Sequence, residues 1–514
     1  MSWKYGLIDL KENPVLADKA VLNLDQNILF DSASCRVMVY NPSYEMYFST
    51  NGGKNWRNVG KDYCFQDVYC KDISLIPTSI RWKHPYEDVP TINSFRYVVQ
   101  DNEKGVRSDY KVFTDVSKID TELPIIHLNV NEEDLFDEFK GLLVQGAASW
   151  NNSDFQEAWW YRDANYTQRG IEWEKPIIFQ YFENGKEKIQ SKCGLRISGN
   201  ATRGFPQKSF RINARRKYGD DKLAYRFFGK AGQKKYESLV IRMSGNDNAK
   251  TMFADLLMHQ LAEGSNLLVQ KGKPVLLYLN GNYWGIYNLR ERIDDYFIAK
   301  YSDCKKGDVT ILEDGSASLK DGSENEQKRF LDLIEEVRAM DQVGDKELKR
   351  ITSMIDLDSY IDYIFFETYY ANNDWPVNNA MCYKVPGEKW QWLLNDLDYS
   401  LAYPGADNVN LNMFDKIKGS SSVHAVLFNK LISNGKFKNQ FKKRCRKNLT
   451  KFLNEDSVKR TFGDLKKQYE PEMEQQINRW RNIGSMSEWE DNCQKNLEFL
   501  LNRKKVYNKQ LEGL

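Results

Sequence analysis

The chain has 514 residues, 41% hydrophobic and 28% charged, with a formal net charge of +2. This length predicts two or three domains rather than one core, and the near-neutral balance excludes nucleic acid as a bulk polyelectrolyte partner. Eight cysteines without a Cys-x-x-Cys pair and four dispersed histidines (His84, His127, His259, His424) exclude a zinc-type cluster, and no run approaches the ~20 apolar residues of a membrane span.

Residues 1–120 are predicted to be a small all-β sandwich. Short alternating runs, Arg36–Tyr40 and Glu45–Ser49, are broken by turn residues at Asn41-Pro42 and Asn51-Gly52-Gly53. Ser94–Val99 and Tyr110–Phe113 continue the pattern across an Asp101–Gly105 turn. The N-terminal residues MSWKYGLIDLKENP lack the charged start and apolar run of a signal peptide. The expected compartment is therefore the cytoplasm, with the surface or exterior the alternative if a leader has been removed.

Residues 121–292 form the second predicted domain, also β-rich. PIIHLNV is a strand, and Asn131–Lys140 a short helix. Pro176–Phe182 and Cys193–Ile197 are strands, and a glycine-bearing stretch from Gly194 to Gly204 runs into a strand over Phe205–Ile212 that carries Lys208. Glycines that let the backbone approach, followed by a strand lysine, suit the phosphates of a nucleotide; the same glycines also suit a plain hairpin. This is not a Walker A loop, because Phe205 follows Gly204. Leu239–Arg242 is a strand, and Thr251–Ala262 has the apolar spacing of a helix carrying Asp255. Pro274–Leu279 and Trp284–Leu289 form a hairpin through Asn280-Gly281, ending at Arg290-Glu291-Arg292.

Residues 293–514 are predicted to be mostly helical, over Ile293–Lys300, Gln327–Met340, Lys346–Ile355, Asp358–Tyr370, Val423–Ile432, Phe437–Phe452, Ser457–Arg479 and Ser487–Gln510. Within them lies NNDWPVNNAMCYKVPGEKWQWLLNDLDYS. Asp374 is followed at four and five residues by Asn378 and Asn379, then by a strand pair turning at Pro386-Gly387, then by Asp396-Leu397-Asp398. Protein kinases place an Asp and an Asn five apart in the catalytic loop and a metal-holding Asp roughly twenty residues later. In an extended segment Asp398 would point away from Asp396; in an irregular turn it would be a second ligand.

Taken as a set and in this order, GLRISGNATRGFPQKSFRI, YLNGNYWGIYNLRERID, NNDWPVNN and KWQWLLNDLD resemble the CotH-type spore-coat protein kinase family. The resemblance covers about residues 121–510. It implies an α+β chain with a bilobal atypical protein-kinase-like fold behind the sandwich, the lobes dividing near residue 292. It implies ATP with Mg²⁺ or Mn²⁺, and transfer to Ser or Thr of a protein, in family members a spore-coat protein. Lys208 would pair the ATP phosphates, helped by Gly199, Gly204, Arg196 and Arg203. Asp255, with Glu263 the alternative, would anchor the lysine, and Glu291 would lie near the nucleotide hinge. Asp374 would be the catalytic aspartate, and Asn379 or Asn378 with Asp396 and Asp398 would hold the metal. The alternatives are ATP-dependent transfer to a glycan or small molecule, or a non-catalytic binding protein. MYFSTNGGKNW resembles immunoglobulin-like modules of chitobiase-type and other glycan-active proteins, which implies a glycan contact or a spacer.

Overall fold

The strands between Ile125 and Glu291 are rich in β-branched, aliphatic and aromatic residues, and several, such as Ile125–Val130 and Asn282–Glu291, are buried along their whole length rather than on one face only. In the computed structural model, which describes all residues except 1–6, 9–27, 32–35, 40–41, 50–55, 65–70, 109, 151–157 and 406, these strands close into a barrel. They are β1 (Ile125–Val130), β2 (Lys175–Glu183), β3 (Lys186–Ser198), β4 (Ser209–Asn213), β5 (Ser238–Arg242), β6 (Gly272–Leu279) and β7 (Asn282–Glu291). Their order is β1-β2-β3-β4-β5-β7-β6, and β6 pairs parallel with β1 to complete the ring. Leu195, Ile197, Phe210, Ile212, Leu239, Ile241, Leu277 and Leu289 fill the interior. The register puts Arg196 opposite Arg211 and Arg211 opposite Val240, so these three form an outward row. Arg242, opposite Asn288, follows two residues further along β5 on the same side.

The Asn280-Gly281 turn joins β6 to β7 as the sequence predicts, with both residues at positive φ. Helix α1 (Ala254–Leu261) links β5 to β6 and buries Leu256, Leu257 and Leu261 in the largest core.

Beyond β7 the chain is mainly helical, with helices at Asp295–Ser302, Glu324–Ala339, Asp345–Met354, α2 (Leu357–Tyr370), α3 (Met413–Lys418), Val423–Leu431, Gly435–Lys451, Glu455–Tyr469, Met473–Trp480 and Met486–Glu512. Caps fix several starts: Asp356 accepts from Ser359 N–H at the head of α2, and Asn454 from Ser457 N–H. The predicted hairpin around Pro386-Gly387 is present as Met381–Lys384 paired with Gln391–Leu393. Two further strands that the sequence reading misses, Thr310–Glu313 and Ser318–Asp321, extend it to four. The helix expected over Ser457–Arg479 is broken after Tyr469, where Pro471 lies in a 3₁₀ turn between the helices Glu455–Tyr469 and Met473–Trp480. The chain is thus α+β with an all-β N-terminal region. That region's described strands form two antiparallel sheets, in which Tyr44–Ser49 pairs with Ser94–Asp101 and Ile28–Asp31 with Arg36–Val39. The Asn51-Gly52-Gly53 turn lies outside the described residues. Among the described residues no helix is long and apolar enough to cross a membrane.

Candidate functional site

The end of β5 meets the segment after the Gln391–Leu393 strand. Asp396 takes a left-handed conformation (φ +53°), so the segment is not extended. Its irregular turn brings both aspartates onto one guanidinium: Arg242 Nη2 donates to Asp396 Oδ1 and, at 2.6 Å, to Asp398 Oδ2. Asp398 is 3% exposed and also accepts from the Asn246 backbone N–H and the Asn246 side-chain amide, each at 3.0 Å. Gly245, at φ +61°, makes the room: a Cβ there would fall 1.6 Å from Asp398 Oδ2. Burial, and then the neighbouring Asp396 carboxylate, push Asp398 well above the ordinary carboxylate range.

Asp374 lies in the loop after α2. Asn379, itself left-handed at φ +62°, brings its amide nitrogen within 3.4 Å of Asp374 Oδ2 and 3.5 Å of the Asp396 carbonyl. Asn378 is exposed, and its backbone N–H donates to the Asp374 carbonyl. Burial and then Asp396 raise the Asp374 carboxyl; Lys416, on α3, opposes the rise. The Lys416 ammonium donates to the carbonyl and side-chain oxygen of Asn373. From below, Glu367 on α2 accepts from the Asn372 amide at 2.9 Å, and Asn372 Oδ1 accepts the Asp374 N–H at 3.2 Å.

Asp255 does not meet a lysine. It pairs with Arg290, and its Oδ1 accepts the N–H of Leu397 at 2.8 Å, between the two aspartates. Helix α1 is therefore tied directly to the Asp396–Asp398 turn. The paired arginine, with His259 and Arg242, holds the Asp255 carboxyl far below its ordinary value despite full burial.

The other candidates lie apart from this cluster. Lys208 is 1% exposed; its ammonium donates to the Arg203 and Phe205 carbonyls and sits 3.7 Å from the centre of the Tyr166 ring. Burial, and then Arg203, lower its pKa well below that of an ordinary lysine. Arg203 donates to the carbonyls of Gly199, Gln168 and Ile197, and Arg196 to the Glu174 carboxylate at 2.9 Å. Gly199 has φ +104°, and a Cβ on Gly204 would come 2.7 Å from the Trp160 Cα, so these glycines serve a turn and a close packing. Glu291 is buried at the end of β7, accepts from the Lys271 N–H and the Tyr301 hydroxyl, and is pushed up to about 7 by burial.

Arg242, Gly245, Asn246 and Lys416 belong to this cluster without lying in any of the sequence motifs described above. The available signal for Arg242 is its place as the cation ending a strand that precedes the Asp255 helix. Lys416 lies 42 residues beyond Asp374 with no motif around it.

Carboxylate oxygens from Asp396 and Asp398 converge on one positive group, beside the Asp374 carboxylate and the Asn379 side chain, and oxygen donors of this kind could hold a hard divalent cation. Among the described residues no three His, Cys, Asp or Glu side chains are gathered as a metal cluster. Among known protein families, the one described as CotH kinase protein matches residues 195–507. No curated protein matches the chain.

Proposed function

The chain belongs to the CotH kinase protein family, and from that premise we propose that it is an ATP-dependent phosphotransferase centred on Asp374, Asn379, Asp396 and Asp398. The observation that carries this reading is the convergence of Asp396 and Asp398 on Arg242, with Asp374 and Asn379 alongside. It favours a bilobal kinase-like arrangement. A glycine turn, a cation on the second strand after it (β5), an acidic helix and a hairpin precede the catalytic loop, in the order kinases use. In this arrangement Arg242 takes the part expected of Lys208, and Asp255 positions the metal-holding turn.

Asp396, Asp398 and the Asn379 side chain would hold Mg²⁺ or Mn²⁺, which when bound neutralises charge on the phosphate oxygens. Asp374 orients the acceptor hydroxyl and takes its proton; its raised pKa makes it a stronger base than an ordinary aspartate. The hydroxyl oxygen forms the new bond to the γ-phosphorus as the bond to the β-phosphate bridging oxygen breaks, and ADP leaves. Lys416, which donates to Asn373 next to Asp374, would supply positive charge where the transferred group gathers negative charge. The acceptor we propose is Ser or Thr of a protein, by resemblance a spore-coat or surface protein.

The test is transfer from ATP labelled on its γ-phosphate to a panel of proteins, followed by mass analysis. Wild type should add one phosphate to Ser or Thr, and Asp374→Asn should lose transfer by at least a hundredfold while still binding ATP. Full transfer by Asp374→Asn would overturn the assignment of Asp374.

A further inference from the structure

On the outward side of β3 and β4, a pocket of about 230 Å³ opens beside the glycine turn. Arg169, Arg196, Arg203 and Arg211 line it, and among the described residues no acidic one does. Such a gathering is costly, because like charges repel and a buried guanidinium needs acceptors for its planar donors. The arginines are unequally provided for. Arg203 is spent on carbonyls and shapes the wall. Arg196 shares Glu174 with Arg215 and Lys217, so that one carboxylate already faces three cations. Arg169 reaches only an amide oxygen, that of Asn200, among its described hydrogen bonds. Arg211, on β4, has a buried Nε with no hydrogen-bond partner. Its pKa falls to about 10, through burial and then through Arg292 and Arg196.

We propose that this pocket is a binding site for a phosphate group, held by Arg211 and Arg169 with Arg196 beside them. A tetrahedral oxyanion supplies what the pocket lacks, namely several acceptors and negative charge in a small volume, in the geometry a guanidinium fork matches. The site is separate from the carboxylate cluster. None of its residues contacts Asp396 or Asp398 among the described hydrogen bonds, and the outward row runs on from Val240 to Arg290, which pairs with Asp255 and, like Arg242, does not line the pocket. The phosphate has two sources, a nucleotide or an already phosphorylated acceptor, and the pocket recognises the group common to both.

The test is calorimetric titration of inorganic phosphate into the full chain without metal. Wild type should bind saturably at one site. Arg211→Gln should weaken binding at least tenfold, exposed Arg169→Gln several-fold, and Asp396→Asn not at all. Competition by ATP would identify the nucleotide as the source, and competition by a phosphoserine peptide the acceptor; either supports the site. Absence of saturable binding would overturn the proposal. So would binding unchanged in Arg169→Gln, which keeps the test open if Arg211→Gln does not fold, or binding lost in Asp396→Asn. Loss of phosphotransfer in any of these proteins would leave the phosphate result standing, so the two readings fail separately.

Discussion

Arg242 does in this structure what a metal ion would do, holding two carboxylates close enough to share one positive charge. Replacing it by Met leaves Asp398 buried and uncompensated, which costs roughly 3 kcal/mol in the absence of metal. The expected result in thermal melts is a lower baseline stability for Arg242→Met, a larger gain on adding Mg²⁺ than in wild type, and loss of transfer. An equal Mg²⁺ effect in both proteins would remove the arginine from the proposed metal site. The two raised carboxyls, Asp398 and Asp374, set the pH response. A carboxyl whose folded value is raised keeps its proton to higher pH, so the ionised ligand set is lost on acidification before ordinary aspartates titrate. Metal-dependent ATP binding should therefore fall already above the usual carboxylate range, as titrations at a series of pH values would show. The same rise makes ionising these groups cost stability as pH climbs from the ordinary aspartate value through the folded one.

Helix α2 carries a second buried acid that acts through the loop it precedes. Glu367 is 0% exposed and is raised to about 8, through burial first; it supports Asp374 by way of Asn372. Its folded pKa lies above the unfolded one, so its stabilisation is complete below the ordinary glutamate range and is lost as pH rises through about 8. Glu367→Gln keeps an acceptor for Asn372 without the charge. It should be more stable than wild type at pH 9 by a few kcal/mol, because each tenfold change in proton affinity between the folded and unfolded chain is worth about 1.4 kcal/mol. At pH 5 it should be close to wild type. Parallel denaturant curves at the two pH values check this.

Element type was legible in the sequence where periodicity and turn chemistry were strong. The Asn280-Gly281 hairpin, helix α1 and the strand pair around Pro386-Gly387 all follow from local pattern. The Thr310–Glu313 strand was not, because four residues carry too little period and the strand exists only through pairing with Met381–Lys384. The grouping of Asp374, Asn379, Asp396 and Asp398 was legible because three aspartates and an asparagine sit within one short segment. Arg242 and Lys416 were not, because β5 and α3 reach the cluster only through tertiary packing. Lys208 shows the converse: a cation with the right sequence surroundings can still be folded onto backbone carbonyls.

At the scale of the molecule, the cluster lies where the barrel meets the helical region. Arg242, Asn246 and Asp255 come from the barrel strands and the segments joining them, and Asp374, Asp396, Asp398 and Lys416 from beyond β7. The Met473–Trp480 helix binds the two parts together: the Trp480 indole N–H donates to the Trp284 carbonyl, and Gln476 accepts the Ile286 N–H while donating to Gln207. The family match, beginning at residue 195 and ending at 507, spans both parts, as a site assembled from both requires. The most direct measurement is calorimetric titration of ATP, with and without Mg²⁺, into wild type and Asp396→Asn. The account predicts Mg²⁺-dependent binding at one site in wild type, and loss of the Mg²⁺ dependence in the variant. Absence of ATP binding by folded wild type in Mg²⁺, or equal binding by both proteins, would contradict it.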